Sequence, residues 1–511
     1  MAAGEQMLNE LIFIHLSRPA DKFALLILML RKLYALASGK CQGDNPDSLL
    51  HQEVLLPGHL LQQFVKEHLE DWQTKLKEVL LKEVQDKPST SFDDSGVVER
   101  GVSKACGYVD IGKRMMYLLS TGNLASRTGL GQTQKSGFTI VAEKLNFLRY
   151  LSHFRSVHRG AYFQELRTTT VCHVFVVLHS PEAHDGFAAQ VRKLLPDSWG
   201  FMCPVHTPDG SPCGLLNHLA APCELVVSVA EDGEATTTML CAVLASAGMT
   251  PNAPALAQPS SPQHIPVMID GAVAGSVRAE AAAALVLAVR RFKVCLCGDT
   301  HRGFRAGTEL VASQSMADPE DVIRYLEVAH IPPSEAGAYP GLYLFSSPAR
   351  FMRPVLQMGD GGLTAGSIEL IGSLEQAYMD IRCPDGGACG SAGLAATHEE
   401  CSPTAFLSAV ASFTPWSDFN QSPRNMYQCQ MAKQTMGTPM DSYPFRTDTK
   451  LYRLYTPQKP LAQTQGYTKY HVNEYPLGTN AVVAVLAHTG RVPVLHHAAR
   501  AQLCLRSVPQ V

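Results

Sequence analysis

The sequence predicts a mixed α/β protein of the α+β kind that is divided into several domains. At 511 residues the chain is too long for a single hydrophobic core, so two to four domains are expected. Apolar residues recur at helical spacing in the first hundred residues. Further along, short apolar runs separated by turn residues are typical of strands.

Three stretches predict helices. Residues 1–40 have a helical pattern, and Pro19 marks the start of a second helix within them. The apolar run FALLILML (23–30) of this second helix is too short to span a bilayer, so we expect it to be buried. Pro57 opens a long amphipathic stretch that predicts a second helical region. The alanine-rich segment 279–292 predicts a third.

Strands and loops are predicted between and after these helices. The segment GLYLFSSPARFMRPV (341–355) has the pattern strand, turn, strand. A polar linker is expected at 86–96, and Pro- or Gly-rich loops at 250–264 and 383–396.

Composition limits the possible functions. The net charge of −3 and the charged share of 17% give no overall attraction to nucleic acid or to an anionic membrane, so a polyanion would need a local basic patch. The fourteen cysteines lack framework spacing, as expected for reduced thiols in an intracellular protein. The first residues lack the basic start of a signal peptide.

The stretch WGFMCPVHTPDGSPCGLLNH (199–218) allows two interpretations. Four side chains could form a small zinc module: Cys203, His206, Cys213 and His218. The intervening loop is very short for tetrahedral closure. The alternative is a pair of successive turns in which Gly210 and Gly214 adopt positive φ, and the spacing favours these turns.

Two further groups carry polar chemistry. The first is basic and suits phosphate contacts, although a solvated surface would have the same composition: Arg155, His158 and Arg159, with Arg167, Arg192 and Lys193 following. The second surrounds a Pro-limited turn and has no reason to be core: Arg424, Asn425, Tyr427, Gln428, Lys433 and Gln434. Its cations could hold a polyphosphate and its amides sugar or base edges, while a polar helix surface is the alternative.

Common catalytic motifs are absent from the sequence. It contains no P-loop, no G-x-S-x-G elbow, no H-E-x-x-H and no Asp-rich metal triad. Nothing in the chain is therefore expected to run a reaction unaided.

Four ordered motifs resemble one protein family. They are SHFRSVHRG…RTTTV, RKLLPDSWGFMCPVHTPDGSPCGLLNHL, DFNQSPRNMYQCQMAKQTMG and YPLGTNAVVAV. Together they resemble the second-largest, β-like subunit of multisubunit DNA-directed RNA polymerase over about residues 20–490. The forms CPVHTPDG and NHL are similar to those of eukaryotic RNA polymerase I, since the polymerase II and III subunits carry PxxTPEG and VKNL there.

The resemblance implies an architecture as well as a fold. In chain order, it divides the sequence into the end of the lobe (1–40), a helical part of the protrusion (41–105), the fork (106–218), the external domains (219–399), the start of the hybrid-binding domain (400–490) and an off-pattern tail (491–511).

It also implies roles for individual residues. Arg424 would contact the phosphates of the incoming nucleotide, with Tyr427, Lys433 and Gln434 near the RNA 3′ end. Arg155 and its neighbours would face the downstream DNA in the fork. The catalytic Mg²⁺ would be held mainly by the largest subunit. Partners would be that subunit, the other polymerase subunits, the DNA template, the RNA product and nucleoside triphosphates, with no membrane, in the nucleus and nucleolus.

Several departures from the family pattern stand out. An insertion at 172–191 separates segments that the family joins almost directly, and the tail 491–511 replaces a G-Y-x-x-E-D motif. These departures suggest a misjoined or alternatively spliced gene model.

The family's zinc site is absent from this chain, and Cys203 and Cys213 are expected to be ordinary thiols. The isolated chain is expected to be inactive; the alternative is a non-catalytic fragment that binds partner subunits or nucleic acid.

Overall fold

A computed structural model describes most of the chain, in two compact units. The described residues are 2–45, 48–86, 95–131, 135–159, 192–227, 233–251, 264–296, 323–334, 337–358, 366–384, 396–447, 451–486 and 502–505. Unit 1 comprises Met1–Val141 and Val157–Ser408; unit 2 comprises Ala142–Ser156 and Ala409–Val511.

Helices and strands both occur, as the predicted mixed α/β class requires. The α-helices of the described residues are α1 (Ala2–Leu11), α2 (Pro19–Ala37), α3 (Pro57–Asp86), α4 (Ser95–Tyr108), α5 (Ile111–Thr121), α6 (Phe147–Phe154), α7 (Gly233–Ser246), α8 (Ala279–Leu296), α9 (Ser373–Gln376), α10 (Ser422–Ala432) and α11 (Gln465–Lys469). The strands are β1 (Ser156–His158), β2 (Leu216–His218), β3 (Glu224–Leu225), β4 (Thr250–Pro251), β5 (His264–Ile269), β6 (Ala272–Arg278), β7 (Glu327–Ile331), β8 (Gly341–Phe345), β9 (Phe351–Gln357), β10 (Ile368–Gly372), β11 (Ile381–Arg382), β12 (His398–Glu400), β13 (Val483–Leu486) and β14 (Gln502–Leu505).

One five-stranded sheet of unit 1 has the order β4-β6-β5-β8-β7. Strands β5 and β6 form a hairpin whose turn is Asp270-Gly271, both at positive φ (46° and 81°), which is the usual chemistry of a tight hairpin turn. Alternate residues of β5 face a core that helices α7 and α8 complete, including Val267 and Leu285.

A second sheet of unit 1 has the order β10-β9-β12-β11, with β3 paired to β9. Strand β10 is buried along its whole length and pairs antiparallel with β9. Several charged side chains lie inside this region and are satisfied by ion pairs: Arg353 with Glu400 at 2.6 Å and Arg290 with Glu375 at 2.8 Å.

Helix α2 begins at Pro19, as predicted, but the prediction that its apolar run is buried is wrong. Ala24 and Leu25 are buried, whereas Phe23, Leu26 and most of the apolar residues that follow are exposed. The helix packs against β6. Apolar composition predicts that a helix will pack against another segment, but it does not ensure that the fold contains such a segment.

Unit 2 gathers short helices around α10. The ring of Phe413 packs against those of Tyr467 and Tyr470 at centroid distances of 5.0 and 5.9 Å. Phe147 of α6 lies 4.8 Å from the ring of Tyr475. Strand β13 pairs antiparallel with β14.

Other predicted elements are confirmed. Helices α3 and α8 cover the predicted helical regions, and β8 and β9 form the predicted strand, turn, strand. Among the described residues, no helix combines the length and apolar character that a membrane crossing requires. Some predictions lie wholly or mostly outside the described residues: the linker at 86–96, the loops at 250–264 and 383–396, the insertion at 172–191, Arg167 and the tail at 491–511.

Candidate nucleic-acid interface

Helix α10 carries four of the six predicted polar residues of the 420–437 region. Pro423 lies in its first turn, where a missing backbone N–H costs nothing, so the sequence starts the helix at this point. Side chains four apart share a face of a helix. Arg424 and Gln428 accordingly lie together on the exposed face, whereas Asn425 and Cys429 lie together on the buried one.

The exposed face combines a cation with an aromatic ring. The guanidinium of Arg424 lies 5.9 Å from the centroid of the half-buried Tyr427 ring. No carboxylate of the described residues forms a salt bridge with Arg424. A guanidinium held this way keeps its hydrogen-bond donors available for an anion such as a phosphate.

Two of the six polar residues are buried, against the expectation that this run has no reason to be core. Asn425 is 8% exposed, and its Nδ2 donates to the carbonyl oxygen of Ser417 at 2.8 Å. Lys433, directly after α10, is 7% exposed. Asn425 therefore braces the loop before the helix, while Gln434 stays exposed.

The carboxyl end of α10 is joined to α6 by a single side chain. Asn146 is completely buried, and its Nδ2 donates to the carbonyl oxygens of Ala432 at 2.9 Å and Thr435 at 2.7 Å. The same amide accepts a hydrogen bond at Oδ1 from the backbone N–H of Arg149, 2.8 Å away, and so caps α6.

His153 brings α6 electrostatically close to Lys433. Burial lowers the pKa of His153, and the positive charges of Arg149 and Lys433 lower it further, while Glu143 opposes them. The ring is therefore neutral at physiological pH.

The basic group at residues 155–159 is divided between the units. Arg155 ends α6 in unit 2, whereas His158 and Arg159 belong to unit 1. The side chain of Arg159 donates to the carbonyl oxygen of Lys193 at 3.0 Å, while His158 is exposed.

The loop at 199–218 consists of successive turns. Gly210 and Gly214 have φ of 82° and 76°, as predicted. Arg192, a candidate phosphate contact by sequence, is instead buried and donates to the carbonyl oxygens of Ser211 at 2.7 Å and Cys213 at 2.8 Å. Its role is to brace the loop.

The four candidate zinc ligands take part in this loop in other ways. The rings of His206 and His218 stack at a centroid distance of 3.6 Å, and Nδ1 of His206 lies 2.7 Å from Oγ of Ser408. Burial raises the pKa of the Cys203 and Cys213 thiols, which keeps both protonated. Within the described ranges, no three His, Cys, Asp or Glu side chains are grouped to hold a metal ion.

Sequence reasoning missed Asn146 and His153. An Asn directly before the apolar segment FLRYL has the pattern of a helix N-cap, and that signal could have been found. The contact of Asn146 with Ala432 spans 286 residues and leaves no local trace.

Three family models match parts of the chain. They are RNA polymerase Rpb2, domain 3, at 140–176 and 173–225; the RNA polymerase I, Rpa2 specific domain, at 274–353; and RNA polymerase Rpb2, domain 6, at 410–491. The first covers α6 and the loop at 199–218, and the last covers α10. The two pieces of the domain 3 match overlap at residues 173–176.

Curated relatives match nearly all of the chain. It is 44% identical over 494 residues to DNA-directed RNA polymerase I subunit 2 of Arabidopsis thaliana, with 95% of the chain and 38% of the relative covered. Against DNA-directed RNA polymerase I subunit RPA2 of Mus musculus it is 45% identical over 489 residues, with 96% and 38% covered. The chain thus spans less than two fifths of the length of these relatives.

Proposed function

The chain belongs to the family of second-largest, β-like subunits of DNA-directed RNA polymerase, and on this basis we propose that it serves RNA polymerase I in DNA-templated synthesis of ribosomal RNA precursor. The observation that carries the proposal is α10, whose exposed face presents Arg424 beside Tyr427 and whose end is followed by Lys433.

In this proposal the chain positions and neutralises phosphates. Phosphoryl transfer leaves a protein little covalent work, so orientation and electrostatic stabilisation account for most of the catalysis. Arg424 contacts the phosphates of the incoming nucleotide. Tyr427, Lys433 and Gln434 lie near the RNA 3′ end, and Asn425 and Gln428 support them. Arg155, His158, Arg159 and Arg167 face DNA in the fork.

In this proposal the Mg²⁺ of the reaction is held mainly by the largest subunit, as the family resemblance implies. The isolated chain is inactive in this proposal. The proposed partners are the largest subunit and the other polymerase subunits, the DNA template, the RNA product and nucleoside triphosphates. The proposed location is the nucleus, within the nucleolus, and the domain limits are those that the family resemblance implies.

The test replaces Arg424 by Ala in the polymerase assembled with this chain. Loss of charge-assisted hydrogen bonds to a phosphate is expected to lower kcat/KM for nucleotides roughly ten- to a hundredfold. The measurement is single-nucleotide addition on a defined template over a range of nucleotide concentrations.

Arg453→Ala is the matched control. Arg453 also lies over a tyrosine ring, that of Tyr443, at 4.9 Å, and it is not part of α10. Equal nucleotide addition by the Arg424 variant and this control would contradict the proposed phosphate contact.

A second candidate is a non-catalytic fragment that binds partner subunits or nucleic acid. The exposed apolar residues of α2, such as Phe23 and Leu33, favour it because surfaces of this kind mark protein contacts. Salt-sensitive binding of nucleic acid that is lost on charge reversal at Arg155, Arg159 and Arg167, without nucleotide addition in the assembled complex, would support this candidate.

A further inference from the structure

Asn146 makes a contact that its role as a helix cap does not require. Capping α6 uses only its side-chain oxygen, which accepts from the N–H of Arg149. Serine, threonine and aspartate cap helices about as well. Only an amide offers an acceptor together with two donor hydrogens on one side chain of this size.

The NH₂ group of the Asn146 amide donates to two backbone carbonyls, and these flank Lys433 and Gln434, the pair with a proposed function. Nδ2 reaches the oxygens of Ala432 and Thr435 at 2.9 and 2.7 Å, and it also lies 3.1 Å from Oγ1 of Thr435. Lys433 and Gln434 are the two residues between those carbonyls. Carbonyls at the end of a helix lack intrahelical partners. The hydroxyl of Thr435 donates to the carbonyl oxygen of Ala432 at 2.8 Å, and the amide of Asn146 adds a tie from this turn to the start of α6.

Lys433 is held at a defined place in this turn. Its side chain is largely buried, and its charge is close enough to His153 of α6 to lower the pKa of that ring. Helix α6 therefore forms part of the surroundings of Lys433. Any shift of the turn relative to α6 would move the ammonium group.

We propose that Asn146 is a positioning residue for Lys433, and that it sets where this ammonium group meets the RNA 3′ end and the nucleotide. This inference rests on the proposed function. Asn146 touches neither the nucleotide nor the RNA; it acts through the backbone of residues 432–435.

Asn146→Ser in the assembled polymerase separates the two roles. Serine keeps the cap of α6 and loses both donors to the α10 turn. We expect kcat/KM for nucleotides to fall about tenfold, the loss of two neutral hydrogen bonds. Ser152→Ala is the control, because it removes one buried hydrogen bond within α6, from Oγ to the carbonyl oxygen of Leu148 at 2.6 Å, and leaves the turn intact.

Lys433→Ala, measured alone and combined with Asn146→Ser, tests whether Asn146 acts through Lys433. If Asn146 acts through Lys433, the double variant is no slower than Lys433→Ala, since residues in one network are not additive. Additive losses, or a kcat/KM equal to that of Ser152→Ala, would overturn the inference. Unchanged activity of Lys433→Ala would instead refute the proposed role of Lys433.

Asn146→Asp covers the case in which the serine variant does not assemble. Aspartate has the same size and keeps the cap, but it places a carboxylate against two carbonyl oxygens, so we expect a loss of kcat/KM at least as large. If neither variant assembles while Ser152→Ala does, Asn146 is a structural residue and the inference fails.

Discussion

Arginines of the two units carry their charges in opposite settings. In unit 1, Arg353 and Arg290 are buried and paired with carboxylates, and they hold strands and helices together. In unit 2, Arg424 is exposed and rests on a tyrosine ring. The cost of removing a charged group from water explains the difference: a cation inside the fold needs charged or polar partners there, whereas an exposed guanidinium keeps its donors accessible to an anion. Burial and partner thus separate the arginines that brace the fold from the one that the proposed function assigns to phosphate.

Arg192 is the intermediate case. It is buried like Arg353, yet it donates hydrogen bonds to backbone carbonyls of the loop at 199–218. Its position in the sequence, next to Lys193, indicated a phosphate contact. Burial shows that this cation braces a turn instead.

The largest effect on stability is expected from Arg353→Met. Arg353 is 1% exposed, and its loss leaves Glu400 buried without its ion-pair partner. We expect the free energy of unfolding to fall by about 3–5 kcal/mol. Chemical denaturation of the full chain measures it, with Arg424→Met as the control, for which a change within about 0.5 kcal/mol is expected. Similar losses for both variants would remove the distinction between the units.

A smaller effect is expected in the loop that Arg192 braces. Gly210 and Gly214 both have positive φ, but a Cβ on Gly210 meets open space, whereas one on Gly214 lies 2.6 Å from the carbonyl oxygen of Arg192. Gly210→Ala should cost about 1–2 kcal/mol for its backbone conformation. Gly214→Ala should cost about 1–3 kcal/mol more, because Arg192 must move. Equal thermal shifts for the two variants would argue against the brace.

The smallest effect concerns pH and the buried acids of unit 1. Burial raises the pKa of Glu375 to about 7, against the attraction of Lys293 and Arg290 and with added repulsion from Glu369 and Glu327. Between pH 4.5 and 7 the folded protein therefore holds a proton that the unfolded chain has lost. This contribution to stability is complete below pH 4.5 and disappears as the pH rises through about 7.

Glu375→Gln should remove that dependence. The measurement is the difference in unfolding free energy between wild type and variant from pH 4.5 to 8, which we expect to change in the variant's favour as the pH rises. Glu399→Gln, in the partly exposed pair with Arg382, should show no such trend. A pH-independent difference for Glu375→Gln would mean that this carboxyl is ionised throughout.

The sequence predicted what depends on neighbouring residues. Pro19 and Pro57 mark the true starts of α2 and α3, and Gly210 and Gly214 have positive φ because the turns between prolines and glycines leave few alternatives. Burial was less predictable. The exposed face of α2, the buried Lys433 and the brace of Arg192 each depend on segments that local patterns do not specify.

The same limit applied to the candidate site. Arg424 and Tyr427 could be identified because long polar side chains around a proline are unusual. The contribution of Asn146 could not, since its partners lie 286 and 289 residues away.

That separation has a consequence for synthesis of the protein. Helix α6 leaves the ribosome well before α10, and at roughly 5–20 residues per second the delay is roughly 15–60 s. Throughout that interval the amide of Asn146 has no carbonyls of α10 to hold, while most of unit 1 is completed. Unit 2 therefore cannot mature before α10 has been synthesised. A translational pause between residues 156 and 409 prolongs the period in which α6 stands exposed to chaperones and to misfolding.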